Sequence, residues 1–341
     1  MALIIEKSLP TAESVLERYP ILPAHRVAEH RAAIAAILRG EDRRKIVIIG
    51  PCSAWPMDAV REYSDRLAHL KKDVSSEVLP VLRTYIQKPR TTIGWSGPLN
   101  QPDPAGDPDL VEGIEQCSRL MYDVGQQHPL ADEMLFTHND DYFSGRVSYL
   151  AIGARSGEDM EHRFVASSKD MPVGVKNTTS GDIQVGVNGV KSVQAPHIFA
   201  HHQSQVRSSG NRDAHLILRG GGGHANYDPQ SIAHAGKLLS QQTKQPALII
   251  DASHDNSVNG HGKDPRLQHI VVASVMEGVR RKFADYDVVK GFMIESFLKQ
   301  GKQSDKGPFD RNGLSITDPC LGWEETEELI KRIAELNAQA S

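Results

Sequence analysis

One short run constrains the fold of this chain more than any other: Ile46 to Ile49 is Ile-Val-Ile-Ile, followed at once by Gly50-Pro51-Cys52-Ser53. Four β-branched aliphatic residues in a row are typical of a strand buried on both faces. Because Gly-Pro ends such a strand, Cys52 is predicted to lie just beyond its carboxyl end. In parallel α/β folds that edge is where binding and catalytic sites are usually built.

Further apolar runs repeat this design, since most of them end in a charged or metal-capable residue. Nine runs are predicted, ending near Cys52, Tyr85, Phe136, Arg155, Lys176, His201, Arg219, His254 and Ile294. Helical patterns separate them, and this alternation favours an α/β fold, a (β/α)8 TIM barrel. One run, at Leu130 or at Pro196, is then surplus. A dinucleotide-binding sheet is disfavoured, because no Gly-x-Gly-x-x-Gly turn follows the first strand and the Gly220 to Gly223 run comes late.

The residues before the first strand form a unit of their own. Thr11 to Gly40 carries two helical patterns, with a capping Thr11 at the start and Gly40 as a stop signal. We therefore expect a helical N-terminal extension over residues 1–44 and a barrel catalytic domain over residues 45–341.

Bulk composition narrows the class of protein. A net charge of −4 over 341 residues gives no general reason to expect a nucleic acid or a membrane as partner. No apolar run approaches the roughly eighteen residues that cross a bilayer, and the start of the chain becomes charged too early for a signal peptide. Three cysteines cannot form a paired disulfide framework. We expect a cytoplasmic protein.

One group of residues at strand ends and in the closing loops can bind metal: Cys52, His254, Glu295 and Asp318. A thiolate, an imidazole and two carboxylates suit a divalent transition metal such as Mn²⁺, Fe²⁺, Co²⁺ or Zn²⁺. No local motif joins the four residues. Taken singly, each also has a structural interpretation, as a buried thiol, a hydrogen-bonded imidazole, a paired carboxylate or a capping residue.

A second group is cationic and consists of Arg83, Lys88, Arg90, Arg155, Lys176 and Arg219. Any one of these is more often a solvated surface residue. Because all six follow apolar strand runs, and strand ends meet at one edge of a barrel, we expect them to converge. Such a cluster suits phosphate and carboxylate groups, and within an acidic chain it favours a small polyanionic substrate.

Eight blocks containing these residues occur in one order between Thr11 and Leu336: Gly50 to Ser53, Lys88 to Thr92 with Gly94 and Trp95, Ala151 to Arg155, Gly174 to Asn177, Leu218 to Gly221, Ser253 and His254 with Asn256 and Ser257, Ile294 to Ser296, and Ser315 to Asp318 with Cys320, Gly322 and Trp323. This series resembles type I 3-deoxy-D-arabino-heptulosonate 7-phosphate (DAHP) synthase. The resemblance implies a metal-dependent aldol-type condensation of phosphoenolpyruvate with erythrose 4-phosphate, giving DAHP and phosphate at the entry to the shikimate pathway.

The resemblance also implies a role for each matched residue. The metal ligands would be Cys52, His254, Glu295 and Asp318. Phosphoenolpyruvate would be held by Arg83, Lys88, Arg155, Lys176 and Arg219, and erythrose 4-phosphate by Lys88, Pro89, Arg90 and Thr91. The catalytic residues would be Lys88, Cys52 and His254, with Lys88 acting as a proton donor or as an electrostatic group. Family members are commonly homodimers or homotetramers, so the N-terminal extension is expected to be an interface element.

The sequence departs from the family near the site. The family segment Gly-Glu-Phe-Leu-Asp reads Asp132-Glu133-Met134-Leu135-Phe136 here, and Ser96, Phe297 and Leu314 replace a Lys, a His and a Lys. These changes leave open an alternative, a sister synthase that joins phosphoenolpyruvate to another aldose phosphate in secondary metabolism. A non-catalytic homologue is the third hypothesis, and the intact metal and phosphate sets argue against it.

The regulatory region departs more clearly. In the family, aromatic amino acids bind a separate pocket made by the N-terminal segment and the region after an Ala-Pro-His strand. Here the N-terminus is several residues shorter, Asp170 and His201 replace small hydroxyl residues, and the run from His201 to Arg207 lacks the family's Thr-Lys-Trp-Gly-His loop. We therefore expect insensitivity to feedback by aromatic amino acids.

Overall fold

The computed structural model describes residues 3–21 and 24–340. The predicted units also contain residues 1, 2, 22, 23 and 341, which lie outside the described residues. The strands are β1 (Lys45–Gly50), β2 (Val78–Arg83), β3 (Leu130–Glu133), β4 (Tyr149–Ile152), β5 (Val173–Lys176), β6 (Ile198–His201), β7 (Ser204–Arg207), β8 (His215–Leu218), β9 (Leu248–Asp251), β10 (Val258–Asn259), β11 (Gly262–Lys263) and β12 (Val289–Glu295). The helices are α1 (Ala12–Arg18), α2 (Ala24–Arg39), α3 (Met57–Val74), α4 (Leu110–Gly125), α5 (Asp140–Phe143), α6 (Met160–Ala166), α7 (Ile183–Gln194), α8 (Pro229–Ser240), α9 (Leu267–Arg280) and α10 (Trp323–Ala340).

Eight parallel strands close into a barrel in the order β1-β12-β9-β8-β5-β4-β3-β2. The predicted TIM barrel is therefore confirmed. Its strands are short runs of buried aliphatic residues, and the helices between them bury their apolar faces against the outside of the barrel. No helix in the described ranges is both long and apolar enough to cross a bilayer.

The surplus strand is the one predicted at Pro196. It forms β6, which pairs antiparallel with β7 in a hairpin outside the barrel. The reason is visible in its side chains, because Ile198 is 47% exposed and the strand has no fully buried position. The run at Leu130 is a true barrel strand, β3, buried along its whole length.

The amino end of the barrel is closed by α2. Ile34 and Ile37 of this helix are buried in one cluster with Ile46 and Ile48, which face the inside of the barrel. Val47 of the same strand packs in the outer layer between strands and helices. The alternation follows from the two-residue period of a strand, and it makes the amino end a continuous apolar plug.

At the carboxyl end, strand register brings distant residues together. Gly50 at the end of β1 pairs with Glu295 at the end of β12, and Met293 pairs with Asp251 of β9. Side chains separated by more than two hundred residues in sequence therefore meet on the same rim.

Candidate active site

A cavity of about 560 Å³ opens at the carboxyl ends of the barrel strands. Its wall contains Cys52, Lys88, Pro89, Arg90, Glu133, Arg155, Lys176, Arg219, His254, Lys263, Lys302 to Asp305, Thr317 and Asp318. Most of the residues predicted from the sequence are in this set. Arg83 and Glu295 lie buried below it, each 1% exposed, whereas Thr91 is exposed and is not part of the wall.

The close approach of two strand ends explains why β1 ends in glycine. Gly50 has φ +150°, and a Cβ atom there would lie 3.1 Å from the carbonyl oxygen of Arg83 and 3.2 Å from its nitrogen. A larger residue would push the end of β1 away from β2. Gly50 therefore allows Cys52 to sit beside Arg83 at the floor of the site.

Three of the four predicted metal ligands form a close group. Ligand atoms of Cys52, Glu295 and Asp318 all lie within 4.8 Å of one another. The group comes from three separate segments, the ends of β1 and β12 and the loop before α10. One thiol and two carboxylates at this spacing are a donor set that a divalent transition metal fits.

The electrostatics of this group are those of two carboxylates crowded against a buried thiol. Burial raises the pKa of the Cys52 thiol, and the Glu295 carboxylate adds to the rise. Burial also disfavours ionisation of Asp318, but the Lys263 ammonium, 2.7 Å from its Oδ2, and His254 hold the pKa of that carboxyl well below its usual value. A bound cation would relieve the repulsion between the three groups.

The fourth predicted ligand, His254, lines the same cavity but is not a member of the close group. It has a left-handed backbone, φ +56°, and its Nδ1 lies 2.9 Å from the Asp251 carboxylate and 2.9 Å from the Ser253 hydroxyl. Burial lowers the pKa of His254 despite the carboxylate beside it. A neutral ring whose Nδ1 faces a carboxylate keeps Nε2 as its second donor atom, which is a common arrangement in metal sites.

Two buried ion pairs lie under the cavity. Arg83 Nη2 lies 3.1 Å from Glu295 Oε1, and Lys176 Nζ lies 3.1 Å from Asp251 Oδ2. The Arg83 guanidinium also stacks 4.1 Å from the centre of the Tyr85 ring. Its Nε and Nη1 atoms are buried without a hydrogen-bond partner, so this cation has donors available for an anion.

The remaining cations surround the mouth of the cavity. Lys88 Nζ donates to the carbonyl oxygen of Cys52 at 2.8 Å, and Arg90 Nε donates to the carbonyl oxygen of Trp95 at 2.7 Å. Arg219 is 7% exposed and lies 4.0 Å from Asp255, whereas Arg155 is exposed. Five of the six residues in the predicted cationic group, all except Arg83, therefore line one cavity.

The structure adds residues that the sequence analysis missed. Glu133 is the last residue of β3 and contributes a carboxylate to the wall. The predicted strand ran on to Phe136; a strand predicted to end at Glu133 would have identified this residue, because it is a polar residue at a strand end. Lys263 comes from the β10–β11 hairpin, for which no local sequence signal was recognised. Gln303 holds the loop of residues 302–305, because its side chain bonds the backbone of Asp310 and Leu314 at 2.7 to 2.8 Å.

The Gly220 to Gly223 run has a packing role. A Cβ atom at Gly220, φ +69°, would lie 2.7 Å from the backbone of Asp255, and one at Gly221 would collide with the backbone of Gly181. Three loops that follow neighbouring strands therefore meet with no room for side chains. This close contact accounts for Gly220 and Gly221 without a nucleotide.

Taken together, the arrangement places a cation-rich wall next to a compact set of anionic donors. The cations suit phosphate and carboxylate groups, and the donors suit a metal that polarises an oxygen. A site of this kind can hold two negatively charged small molecules side by side.

Comparison with known proteins gives consistent results. The sequence profile described as the DAHP synthetase I family matches residues 22–331. The Tyr-sensitive phospho-2-dehydro-3-deoxyheptonate aldolase of Escherichia coli (strain K12) is 35% identical over 98% of this chain and 95% of its own. The Trp-sensitive phospho-2-dehydro-3-deoxyheptonate aldolase of Enterobacter agglomerans is 38% identical over 96% and 94%. A solved phospho-2-dehydro-3-deoxyheptonate aldolase from Francisella tularensis SCHU S4 has a TM-score of 0.93 at 33% identity and covers 99% of both chains.

Proposed function

This chain belongs to the DAHP synthetase I family, and from that premise we propose that its cavity condenses phosphoenolpyruvate with erythrose 4-phosphate to give DAHP and phosphate. One observation carries the proposal. Five predicted cations line a single cavity beside a thiol and two carboxylates whose ligand atoms lie within 4.8 Å of one another. This combination matches the demands of the reaction, which joins two phosphorylated substrates and develops charge on an aldehyde oxygen.

Phosphoenolpyruvate is held by Arg83, Lys88, Arg155, Lys176 and Arg219 in this proposal. The support is strongest for Arg83, because its buried Nε and Nη1 atoms have no partner in the protein. Leaving a buried donor unpaired costs about 1–3 kcal/mol, and an anionic ligand would remove that cost. Lys176 and Arg219 are also almost fully buried, so their attraction for phosphate is weakly screened.

Erythrose 4-phosphate is assigned to the segment Lys88-Pro89-Arg90-Thr91 at the mouth. The bond from Arg90 Nε to Trp95 fixes the guanidinium and leaves its other two nitrogens for a phosphate. The position of Thr91 outside the cavity wall gives it the weakest support of this set.

The metal would be held by Cys52, Glu295 and Asp318, with His254 as the fourth ligand through Nε2. A thiolate among the donors favours Mn²⁺, Fe²⁺, Co²⁺ or Zn²⁺ over Mg²⁺ or Ca²⁺. When bound, such an ion supplies a Lewis acid that polarises the aldehyde of the acceptor.

The protein's own groups would guide the rest of the chemistry. The cations hold the enol carbon of phosphoenolpyruvate against the aldehyde carbon, so that the new C–C bond forms between them. Lys88 would give a proton to the oxygen of the former aldehyde, or stabilise its charge. Water then adds at C2, and breakage of the C2–O bond releases inorganic phosphate.

Location, assembly and regulation are further parts of the proposal. We place the enzyme in the cytoplasm as a homodimer or homotetramer with residues 1–44 in the interface; Leu3, Ile4 and Ile5 are 85% to 92% exposed, which supports a contact there. Insensitivity to aromatic amino acids has weaker support, because the relatives are named Tyr-sensitive and Trp-sensitive. Light scattering coupled to size exclusion, with and without residues 3–9, tests the interface.

The deciding experiment is phosphate release by the purified protein with Mn²⁺, phosphoenolpyruvate and a panel of aldose phosphates. We expect erythrose 4-phosphate to be the best acceptor, and EDTA to abolish release until Mn²⁺ is restored. Preference for another aldose phosphate would favour the sister-synthase alternative. Absence of release with every acceptor would reject both.

A matched pair of variants tests the metal set. Cys52→Ser should lose activity and bind Mn²⁺ more weakly, since it removes the thiolate. Cys117→Ser changes a buried cysteine of α4 that does not line the cavity, and it should retain both activity and Mn²⁺ affinity. Equal Mn²⁺ affinity for the two variants would rule out Cys52 as a ligand.

A further inference from the structure

A buried carboxyl group with no part in the proposed reaction lies next to Glu133. Asp132 is 7% exposed, and its Oδ1 accepts hydrogen bonds from two backbone amides, that of Ile86 at 3.3 Å and that of Glu133 at 2.9 Å. Burial of this kind is unusual for aspartate unless the carboxyl has a structural or functional role.

The bond to Ile86 lies where the ladder between β2 and β3 stops. Arg83 is the last residue of β2 in register with β3, and the amide of Thr84 still donates to the carbonyl oxygen of Ala131 at 2.8 Å. Every second amide of β2 faces β3, so the next one after Thr84 is that of Ile86. It donates to the Asp132 side chain instead of to a backbone carbonyl of β3. Asp132 therefore extends the sheet by one hydrogen bond toward the cavity.

This extra bond fixes the segment that carries Lys88. Ile86 is 2% exposed, and its carbonyl oxygen accepts from the amide of Leu99 at 3.1 Å. Two residues later the amide of Lys88 donates to Ser96 at 2.8 Å, and the Lys88 ammonium reaches Cys52. With the Ile86 amide held as well, the path of the chain into the cavity is defined on both sides.

The carboxyl is a feature of this chain, because the segment it resembles in the family has glycine at this position. Glycine has no acceptor to offer Ile86. Around Asp132, the charged or titratable groups are Glu133 on its own strand, Lys88 after β2 and Cys117 on α4. Burial raises the pKa of Asp132 to about 8, against the two amide bonds, so at neutral pH asparagine is a close mimic of its protonated form.

We propose that Asp132 is a positioning residue: its carboxyl oxygen fixes the segment from Ile86 to Lys88 and thereby sets where the Lys88 ammonium meets the substrates. The proposal rests on the proposed function, since it takes Lys88 as a group that contacts substrate.

Three variants test it by steady-state phosphate release. Asp132→Asn keeps the acceptor oxygen and should stay within about two-fold of the wild type in kcat/KM. Asp132→Gly removes it and should lower kcat/KM by about 10- to 100-fold, because small displacements of a positioned group have effects of this size. Asp107→Gly, at an exposed loop position, is the matched control and should retain activity. Asp132→Leu replaces the glycine variant if that protein does not fold.

Hydrogen exchange of single amides gives a readout that does not depend on activity. The Ile86 amide should exchange at least about ten-fold faster in Asp132→Gly than in the wild type or Asp132→Asn, while Thr84 keeps its protection. A folded Asp132→Gly protein with unchanged kcat/KM, or with unchanged exchange at Ile86, overturns the proposal. If the wild type releases no phosphate with any acceptor, the proposed function fails, and exchange at Ile86 alone decides whether Asp132 fixes this segment.

Discussion

The two ends of the barrel are built on opposite principles. At the amino end, Ile37 of α2 is buried in one apolar cluster with Ile46 and Ile48. At the carboxyl end, Arg83 and Glu295 form an ion pair with both side chains 1% exposed. Burying charges costs several kcal/mol per ion, whereas burying aliphatic side chains is favourable. The amino end therefore stabilises the barrel, and the carboxyl end gives up stability to hold charges where ligands bind.

The largest expected effect comes from removing the buried cation. Arg83→Gln should lower kcat/KM by about 10²- to 10³-fold, since it deletes the buried donors that we assign to phosphoenolpyruvate. It should also cost about 3–5 kcal/mol of unfolding free energy, because Glu295 is left buried without its partner. Kinetics and urea denaturation measure the two effects. Arg146→Gln is the control, a buried arginine near α1 whose loss should leave KM unchanged; equal kinetics for both variants would contradict the comparison.

A double variant separates function from stability at the same place. Arg83→Met with Glu295→Leu removes the pair and fills the space with apolar groups. Replacing buried ion pairs in this way is often neutral or stabilising by about 1–4 kcal/mol. We expect an inactive protein at least as stable as the wild type by urea denaturation. A loss of several kcal/mol would mean that the pair is a net source of stability, and it would contradict the comparison of the two ends.

Much of the fold could be predicted from the sequence, because it follows from local patterns. Apolar runs such as Ile46 to Ile49 are long enough to specify buried strands, and their polar last residues identified Cys52, Lys176 and Arg219 on the rim. The run at Pro196 could not be assigned from the sequence, because a short apolar run does not reveal whether the strand belongs to a barrel or to a two-stranded hairpin.

The loops of the site could not be derived in this way. Lys263 reaches Asp318 because a two-residue hairpin turns it toward the cavity, and Gln303 organises its loop through the backbone of residues seven and eleven positions away. Such contacts depend on tertiary geometry that has no sequence period. The role of Asp132 likewise has no sequence signal, because it depends on where β2 and β3 stop pairing.

A further prediction probes the amino end. Ile37→Ala should cost about 2–5 kcal/mol of unfolding free energy, because Ile37 is 1% exposed and its loss leaves a cavity in the plug. Both KM values should stay within about two-fold of the wild type, since the site lies at the other end of the barrel. Thermal or urea denaturation measures the loss. A large rise in KM would show that the two ends are coupled.

Another prediction uses a buried polar residue at the amino end. His215 is buried in β8; its Nδ1 donates to the carbonyl oxygen of Asp213 at 3.0 Å, and its Nε2 accepts from the Tyr149 hydroxyl at 2.8 Å. Burial lowers the pKa of His215 from 6.5 to about 4. The imidazole is therefore protonated below about pH 6.5 in the unfolded chain but only below about pH 4 in the folded chain.

Its contribution to stability should be complete above pH 6.5 and fall as the pH drops toward 4, by about 3 kcal/mol at most. Urea denaturation between pH 7.5 and 4.5 measures how steeply the unfolding free energy falls with pH. His215→Gln should reduce this slope, whereas the control His69→Gln, at an exposed position in α3, should leave it unchanged. An unchanged slope in His215→Gln would show that other groups cause the acid loss.

The smallest expected effect concerns the hairpin of β6 and β7, which is a separate two-stranded sheet outside the barrel. Saturating Phe, Tyr or Trp should lower the initial rate by less than half. The support is local: Asp170 is paired with Arg31 of α2 at 2.6 Å, and His201 packs 4.1 Å from His202, which begins the tight turn of the hairpin. A charged pair at Asp170 and an imidazole at His201 thus occupy the two positions where the family resemblance implies small hydroxyl residues. Initial rates with each amino acid measure the effect, and Asp170→Ser with His201→Ser should increase it. Inhibition of the wild type by more than half would reject insensitivity and align this chain with its Tyr-sensitive and Trp-sensitive relatives.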